Sequence, residues 1–240
     1  MSAETLRRIV IAIDGPAGAG KSTIAKQTAR ELGYTYVDTG AMYRATGLLA
    51  RERGVPLDDA ERLGGLTADL EFGFPWVGEV LHTVVDGRDV SHLIRTPEAA
   101  LDASTVSKVP AVRAALMVRQ RAMAAAGGVV MEGRDIGTVV FPDAELKVFL
   151  TASSRVRGER RWKQMRDRGD TSMSLDDVIT DIERRDHQDS TRAVAPLRPA
   201  EDSVVLDTSK LGVGRVRQTI LRLVAARQED PDVEITQSGA

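Results

Sequence analysis

The run Arg8-Ile9-Val10-Ile11-Ala12-Ile13-Asp14 and, directly after it, Gly15-Pro16-Ala17-Gly18-Ala19-Gly20-Lys21-Ser22-Thr23 decide how this chain folds. The first is short, apolar and rich in β-branched residues, as a strand covered on both faces must be. The second matches G-x-x-x-x-G-K-[ST], and helix formers with Ile24, Thr28 and Leu32 on one face follow it as far as Gly33. Strand, glycine-rich turn and helix in that order make a phosphate loop. The glycines let backbone N–H groups converge on phosphate oxygens, and the helix N-terminus adds positive potential. Gly15, Pro16, Ala17, Gly18, Ala19, Gly20, Lys21, Ser22 and Thr23 are thus expected to cradle ATP. Lys21 is placed to bridge the β- and γ-phosphates, and Ser22 to offer its hydroxyl to Mg²⁺.

Outward from this loop, Tyr34-Thr35-Tyr36-Val37-Asp38 reads as a second strand, which completes a βαβ unit and implies a parallel sheet. Further strands are expected at Val129-Val130-Met131-Glu132, Leu146 to Leu150 and Val204-Val205-Leu206-Asp207. Between residues 57 and 95 the pattern loosens around Gly and Pro, with hairpin-like strands at Leu70 to Phe74 and Val80 to Val85, so an inserted subdomain is expected there. Thr96-Pro97-Glu98 and Val109-Pro110 start two helices, the second running to about Ala126. The expected class is α/β, a parallel-sheet P-loop NTPase core in three α/β/α layers. One domain spans about 1–227, its core being about 8–56, 96–154 and 190–227, and residues 228–240 form a frayed polar tail.

With 240 residues, 42% hydrophobic and 28% charged, the chain can bury a large core and is not disordered in composition. No apolar stretch approaches the ~18 residues of a membrane span, and Met1 to Arg8 lacks the apolar segment of a secretory signal, so a cytosolic protein with no membrane partner is expected. The absence of Cys removes thiol nucleophiles, disulfides and Cys-based zinc sites. A net charge of −2 provides no global basic field for nucleic acid. The chain also lacks Asn and so cannot carry the N-K-x-D motif with which a GTPase switch reads guanine.

Basic residues are six Lys and 27 Arg. Arg grips phosphate with a planar, permanently charged fork. Compositional bias explains the total equally well, so only placement carries weight. Asp38-Thr39-Gly40-Ala41-Met42-Tyr43-Arg44 and Gly133-Arg134-Asp135-Ile136-Gly137 each follow a strand, and their polar groups emerge on the sheet edge that holds ligands. An Arg beside an Asp is also what a surface pair looks like. Two strand ends presenting Arg beside a phosphate loop nevertheless favour an acceptor that is itself a phosphate ester. Glu132 ends an apolar strand, where it is either a carboxylate held to Mg²⁺ through water or a strand-end charge. Arg155 to Arg168 holds seven basic residues against Glu159 and Asp167, which suits a solvated helix face or a lid at about 155–175. A helix from Ser174 would carry Arg185, Asp189 and Arg192 along one edge of its apolar stripe.

Across nearly the whole chain these residues resemble the bacterial cytidylate kinase family, a branch of the nucleoside monophosphate kinases. The segments that carry the resemblance are Ile13 to Ser22, Asp38 to Arg44, Asp89-Val90-Ser91 with Ile94-Arg95-Thr96, Glu132 to Asp143, and Arg185 to Leu197. The resemblance implies a short helical lid and an insert that binds the acceptor. It implies that Ser104, Arg113 and Asp135 read cytosine, whose exocyclic amine would donate to Asp135. Arg44 and Arg134 would grip the acceptor phosphate with Thr39 nearby, and Arg185, Asp189 and Arg192 would hold sugar hydroxyls and phosphate. Glu132 stands where some relatives have Asp.

The expected reaction is Mg²⁺-dependent transfer from ATP to CMP or dCMP, with Lys21, Arg134, Arg157 and Arg161 as the catalytic cations and Ser22 and Glu132 toward the metal. A kinase acting on UMP, AMP or shikimate, and a nucleotide-binding regulator, are the competing readings. A monomer with only small-molecule partners is expected.

Overall fold

The computed structural model describes residues 7–230 and 233. In chain order the elements are β1 (Val10–Asp14), α1 (Lys21–Leu32), β2 (Thr35–Asp38), α2 (Thr39–Glu52) and α3 (Ala60–Asp69). Five two-residue strands follow: β3 (Phe72–Gly73), β4 (Trp76–Val77), β5 (Val80–Leu81), β6 (Val84–Val85) and β7 (Arg88–Asp89). Then come α4 (Pro97–Val106), α5 (Pro110–Met123), β8 (Val129–Glu132), a π-helical turn (Ile136–Val140) and β9 (Leu146–Thr151). The chain continues through α6 (Ser154–Asp167), α7 (Leu175–Thr191), β10 (Val204–Asp207) and α8 (Val213–Glu229). It divides into two compact units, one from the residues up to Tyr34 and from Gly127 onward, the other Thr35–Ala126.

In the first unit the strands lie in the order β10-β9-β1-β8, all parallel. Ile11 faces Val130 on one side and Leu146 on the other. Both faces are covered, so Ile11, Ala12, Ile13, Val130, Met131 and Leu150 are fully enclosed, which is why these strands read as unbroken apolar runs. α1 and α8 pack on each other, α1 against β8 and α8 against β9. Gly33 ends α1 in the left-handed region at φ 62, as its position after Leu32 foretold. Asp14, Glu132, Thr151 and Asp207 end their strands on one edge of the sheet, the edge where ligands bind in parallel sheets. α6 lies along α7, and α7 begins with the capping box that Ser174 and Asp177 form.

In the second unit α2 packs on α4 and α3 on α5. Ala41, Ala45 and Leu49 of α2 share a core with Leu70, Val85, Val90 and Ile94. The stretch between residues 57 and 95, expected as an insert with strands at Leu70 to Phe74 and Val80 to Val85, contains α3 as well. Asp59 caps it by accepting from Arg62 N, and Leu63 and Thr67 are its buried face. The run Val80 to Val85 is not one strand: Val80–Leu81 pairs with β4, whereas Val84–Val85 pairs with β3 and β7. Asp86 and Gly87, at φ 50 and 78, make the two-residue turn between β6 and β7, an Asp-Gly signal present in the sequence. At the C-terminus, α8 runs two residues into the segment expected as tail, because Gln228 Nε2 is tied to Arg7 O at 2.7 Å and Tyr34 Oη at 3.0 Å. Residues 231, 232 and 234–240 of that expected tail lie outside the described residues.

Close approach sets the sign of two substitutions. A Cβ on Gly47 of α2 would sit 2.5 Å from Asp102 Cβ of α4, whereas one on Gly65 of α3 would enter open space. Gly47→Ala is expected to cost about 1–3 kcal/mol by forcing the helices apart, although helix propensity alone favours Ala by ~1 kcal/mol. Gly65→Ala is expected to gain ~0.5–1 kcal/mol. Urea unfolding of both variants measures this, and equal signs would contradict the packing.

Candidate active site

The phosphate loop is held open by backbone geometry. Gly15, Gly18 and Gly20 have φ of 145, 76 and 94, a region that side chains disfavour. A Cβ on Gly15 would lie 2.0 Å from Leu150 O of β9, and one on Gly18 3.0 Å from Arg157 Cβ. No side chain caps α1, whose N-cap is Gly20, so the N–H groups of its first turn remain available to an anion. Lys21 Nζ donates to Pro16 O at 2.8 Å, and Ser22 and Thr23 are exposed on the first turn.

Two arginines brace this loop from behind. Arg157 is only 5% exposed: Nε donates to Ala152 O at 2.8 Å, one Nη to Ala17 O at 3.0 Å, and the other pairs with Asp186 at 2.6 Å. Arg160 donates to both Thr208 Oγ1 (3.0 Å) and Thr208 O (2.6 Å), and Thr208 Oγ1 lies 3.3 Å from Ala19 O. Arg157, expected among mobile lid cations, is thus built into the floor of the loop, while Arg161 is exposed on the same helix.

Charged groups gather at the neighbouring strand ends. Asp14, at the end of β1, accepts from Ile136 N at 2.9 Å and Gly137 N at 2.7 Å. Burial pushes its carboxyl up to about 6 against the lowering effect of those two N–H groups; Asp135 raises it further and Lys21 lowers it. Burial, and then the charge of Arg134, push the Lys21 ammonium down to about 7, while Glu132, Asp14 and Asp189 act the other way. Arg134 is thus close enough to Lys21 for its charge to be felt there. Its Nε donates to Asp189 Oδ2 at 3.0 Å. Burial and Arg134 likewise push Arg185 down, with Asp181 and Asp189 compensating and Arg161 adding to the effect. Arg192 is not on the helical stripe expected for it: α7 ends at Thr191, and Arg192 continues in extended backbone at ψ 140. The chain bends back through Ala195 (φ 51) so that Leu197 N reaches Asp189 O. Arg192 Nε donates to Ala195 O at 2.5 Å and an Nη lies 3.5 Å from Asp135 Oδ1.

In the second unit Thr39 is buried at the start of α2, and Asp38 caps that helix by accepting from Ala41 N at 2.8 Å. Asp38 also accepts from Arg44 at 3.0 Å, whose guanidinium passes over Gly40. Arg113 of α5 donates to Tyr43 Oη at 3.2 Å. Ser104 is half-buried on α4. Within the first unit, then, Glu132, Arg134 and Asp189 act on Lys21, Arg157 holds the loop, Arg185 is in the field of Arg134 and Asp189, and Arg192 pairs with Asp135; within the second, Arg113 meets Tyr43 and Arg44 meets Asp38.

Sequence reasoning assigned no role to Asp14, Asp38, Tyr43, Asp186, Arg160 or Thr208. Thr208 had a signal, since Asp207-Thr208 follows an apolar strand just as Asp38-Thr39 does. Asp186 had none, because its partner Arg157 lies 29 positions away.

Among the described residues no three His, Cys, Asp or Glu side chains cluster as metal ligands. The oxygen donors at hand are the Ser22 hydroxyl and the buried Glu132 carboxylate, which lies within the field of Lys21; hard oxygen donors of this kind suit Mg²⁺ beside a polyphosphate.

The profile of the family described as cytidylate kinase matches residues 11–226. The chain belongs to the cytidylate kinase family. It is 46% identical over 230 residues to the cytidylate kinase of Syntrophotalea carbinolica, an alignment covering 95% of this chain and 97% of that one. With the cytidylate kinase of Saccharophagus degradans it shares 47% identity over 221 residues, covering 92% and 98%. Among solved structures, an uncharacterized protein from Eubacterium ventriosum aligns with a TM-score of 0.50 at 11% identity, covering 92% of this chain and 100% of that one, a likeness of fold alone. This member of the cytidylate kinase family is thus a phosphotransferase on an α/β fold. No helix among its described residues is long and apolar enough to cross a membrane.

Asp14 gives a pH signature. Its folded value, about 6, lies above the ordinary 3.8, so the folded state binds the extra proton between those values. Its contribution to stability is full below pH ~4 and lost as pH rises through ~6, by about 3 kcal/mol. Urea unfolding across this window should show the wild type losing about that much relative to Asp14→Asn; parallel curves would contradict it.

Proposed function

We propose that this chain transfers the γ-phosphoryl group of ATP to CMP or dCMP, giving ADP with CDP or dCDP, with Mg²⁺ and in the cytoplasm. The observation that carries this reading is that the charge of Arg134 acts on Lys21 of the phosphate loop and on Arg185 in turn. Cations there can hold the phosphate of an acceptor as well as stabilise the group in transfer. Gly15 to Thr23 receive the triphosphate, and Lys21 exchanges the Pro16 carbonyl for β- and γ-oxygens. A bound ligand of −4 charge returns the Lys21 ammonium to its charged form. Arg157 steadies the loop through Ala17, and Arg161 supplies charge from the exposed face of α6. Ser22, with Glu132 through water, would hold Mg²⁺, which offsets the charge of the β- and γ-oxygens when bound.

For the acceptor, Thr39, Arg44, Arg134, Arg185, Asp189 and Arg192 are the proposed holders of phosphate and sugar. Asp135, Ser104 and Arg113 are the proposed readers of cytosine. The pairing of Arg192 with Asp135 at 3.5 Å supports this, because it orients a carboxylate that can accept from an exocyclic amine. Uracil would set O4 against that carboxylate. Arg113 is in turn aimed by Tyr43. The transition state is loose, so charge and position do the work and no covalent intermediate is needed.

An ADP-release assay across CMP, dCMP, UMP, AMP and shikimate tests this, with turnover expected for CMP and dCMP. Asp135→Ala should lower the CMP:UMP ratio of kcat/KM by about tenfold or more. Arg134→Ala should lower kcat by about 10²–10³. A preference for another acceptor, or an unchanged ratio in Asp135→Ala, would refute the corresponding assignment.

A further inference from the structure

We propose that Asp14 is a positioning residue, whose carboxylate holds the backbone that carries Arg134 and Asp135 in register with the phosphate loop. This rests on the roles given above to Arg134 and Asp135. Asp14 is the last residue of β1 and is bonded covalently to Gly15, the first glycine of the loop. Its two carboxylate oxygens accept separately from Ile136 N at 2.9 Å and Gly137 N at 2.7 Å, the first two amides after Asp135. One side chain therefore joins the strand that delivers the donor site to the turn that delivers the acceptor site. A backbone tie from Gly133 N to Ile13 O, at 3.1 Å, lies on the far side of Arg134. Together the two ties fix the turn before Arg134 and after Asp135, leaving those two side chains between anchored ends.

A purely structural reading fits less well. The site is almost sealed, and burial makes the ionised carboxyl costly enough to raise its titration to about 6. Asn at this place would accept from one amide and oppose its own NH₂ to the other, so only a carboxylate satisfies both. The groups whose charge faces Asp14 are Lys21 and Asp135, one from each site that it joins.

The test compares Asp14→Asn and Asp14→Ala with the wild type by steady-state kinetics on CMP, UMP and ATP, with circular dichroism to confirm folding. Displacing a gripping side chain by ~1 Å costs on the order of 10²-fold. A rise in KM for CMP of roughly tenfold or more and a roughly tenfold fall in the CMP:UMP ratio are therefore expected in Asp14→Ala, with KM for ATP moving less than about threefold and Asp14→Asn intermediate. Should Asp14→Ala not fold, Asp14→Asn decides by the same readouts. Amide exchange provides a second measure: Ile136 and Gly137 should be protected in the wild type and lose protection in Asp14→Asn. An unchanged CMP:UMP ratio in a folded variant, equal rises in both KM values, or fast exchange of those amides in the wild type would overturn the positioning role alone. A wild type that releases no CMP-dependent ADP would overturn the activity, and this role with it.

Discussion

A carbonyl oxygen stands where a side chain at position 15 would have to be. Leu150 O of β9 lies 2.0 Å from the point that a Cβ on Gly15 would occupy. The chain can leave β1 and turn into the phosphate loop only because nothing projects there, and the turn sits directly on the end of the neighbouring strand. The rest of the first unit follows from that contact. Thr151, the last residue of β9, and Ala152 just after it present the carbonyls that Thr208 and Arg157 use, and these in turn reach Ala19 and Ala17 of the loop. The loop is thereby gripped from β9, β10 and α6 while its N–H face is left to a ligand.

Such bracing has an electrostatic consequence. Positive charge is concentrated beside the loop, and the charges repel: Arg134 acts on Lys21 and on Arg185 in the direction that disfavours their protonated forms. Carboxylates at the strand ends offset part of this. Asp14, Glu132 and Asp189 all act on Lys21 in the opposite sense. The cations are thus held in place by carboxylate and carbonyl partners, Arg134 by Asp189 and Lys21 by Pro16.

The second unit solves a different problem. Its helices carry acceptor-side candidates on short elements, and the packing that holds them uses glycine against helix. Gly47 admits Asp102, and Arg51 completes the contact with two hydrogen bonds of 2.6 and 2.7 Å to that carboxylate. Arg44 over Gly40 repeats the device near Asp38. Both arginines follow a glycine by four residues on α2, so that each side chain lies back over the gap that its glycine leaves or beside it.

Local pattern alone determined the buried strands, the phosphate loop, the glycine that ends α1 and the caps of α4 and α7, because each depends on neighbours within a few residues. It also marked Arg134, Arg185 and Asp189 as candidates, since strand ends and helical spacing are local facts. Between residues 57 and 95 it marked strands but missed α3, which shows only Leu63 and Thr67 as a buried face, and ran β5 and β6 together, because two-residue strands are too short to show a period. Only the tertiary structure could decide that Arg157 braces the loop, that Arg192 reaches Asp135 from beyond the helix end, and that Asp14 serves the turn 122 residues later. Those outcomes depend on which distant carbonyl, amide or carboxylate the fold delivers to each side chain, and the stretch of chain around a buried charge holds no trace of the partner that stabilises it.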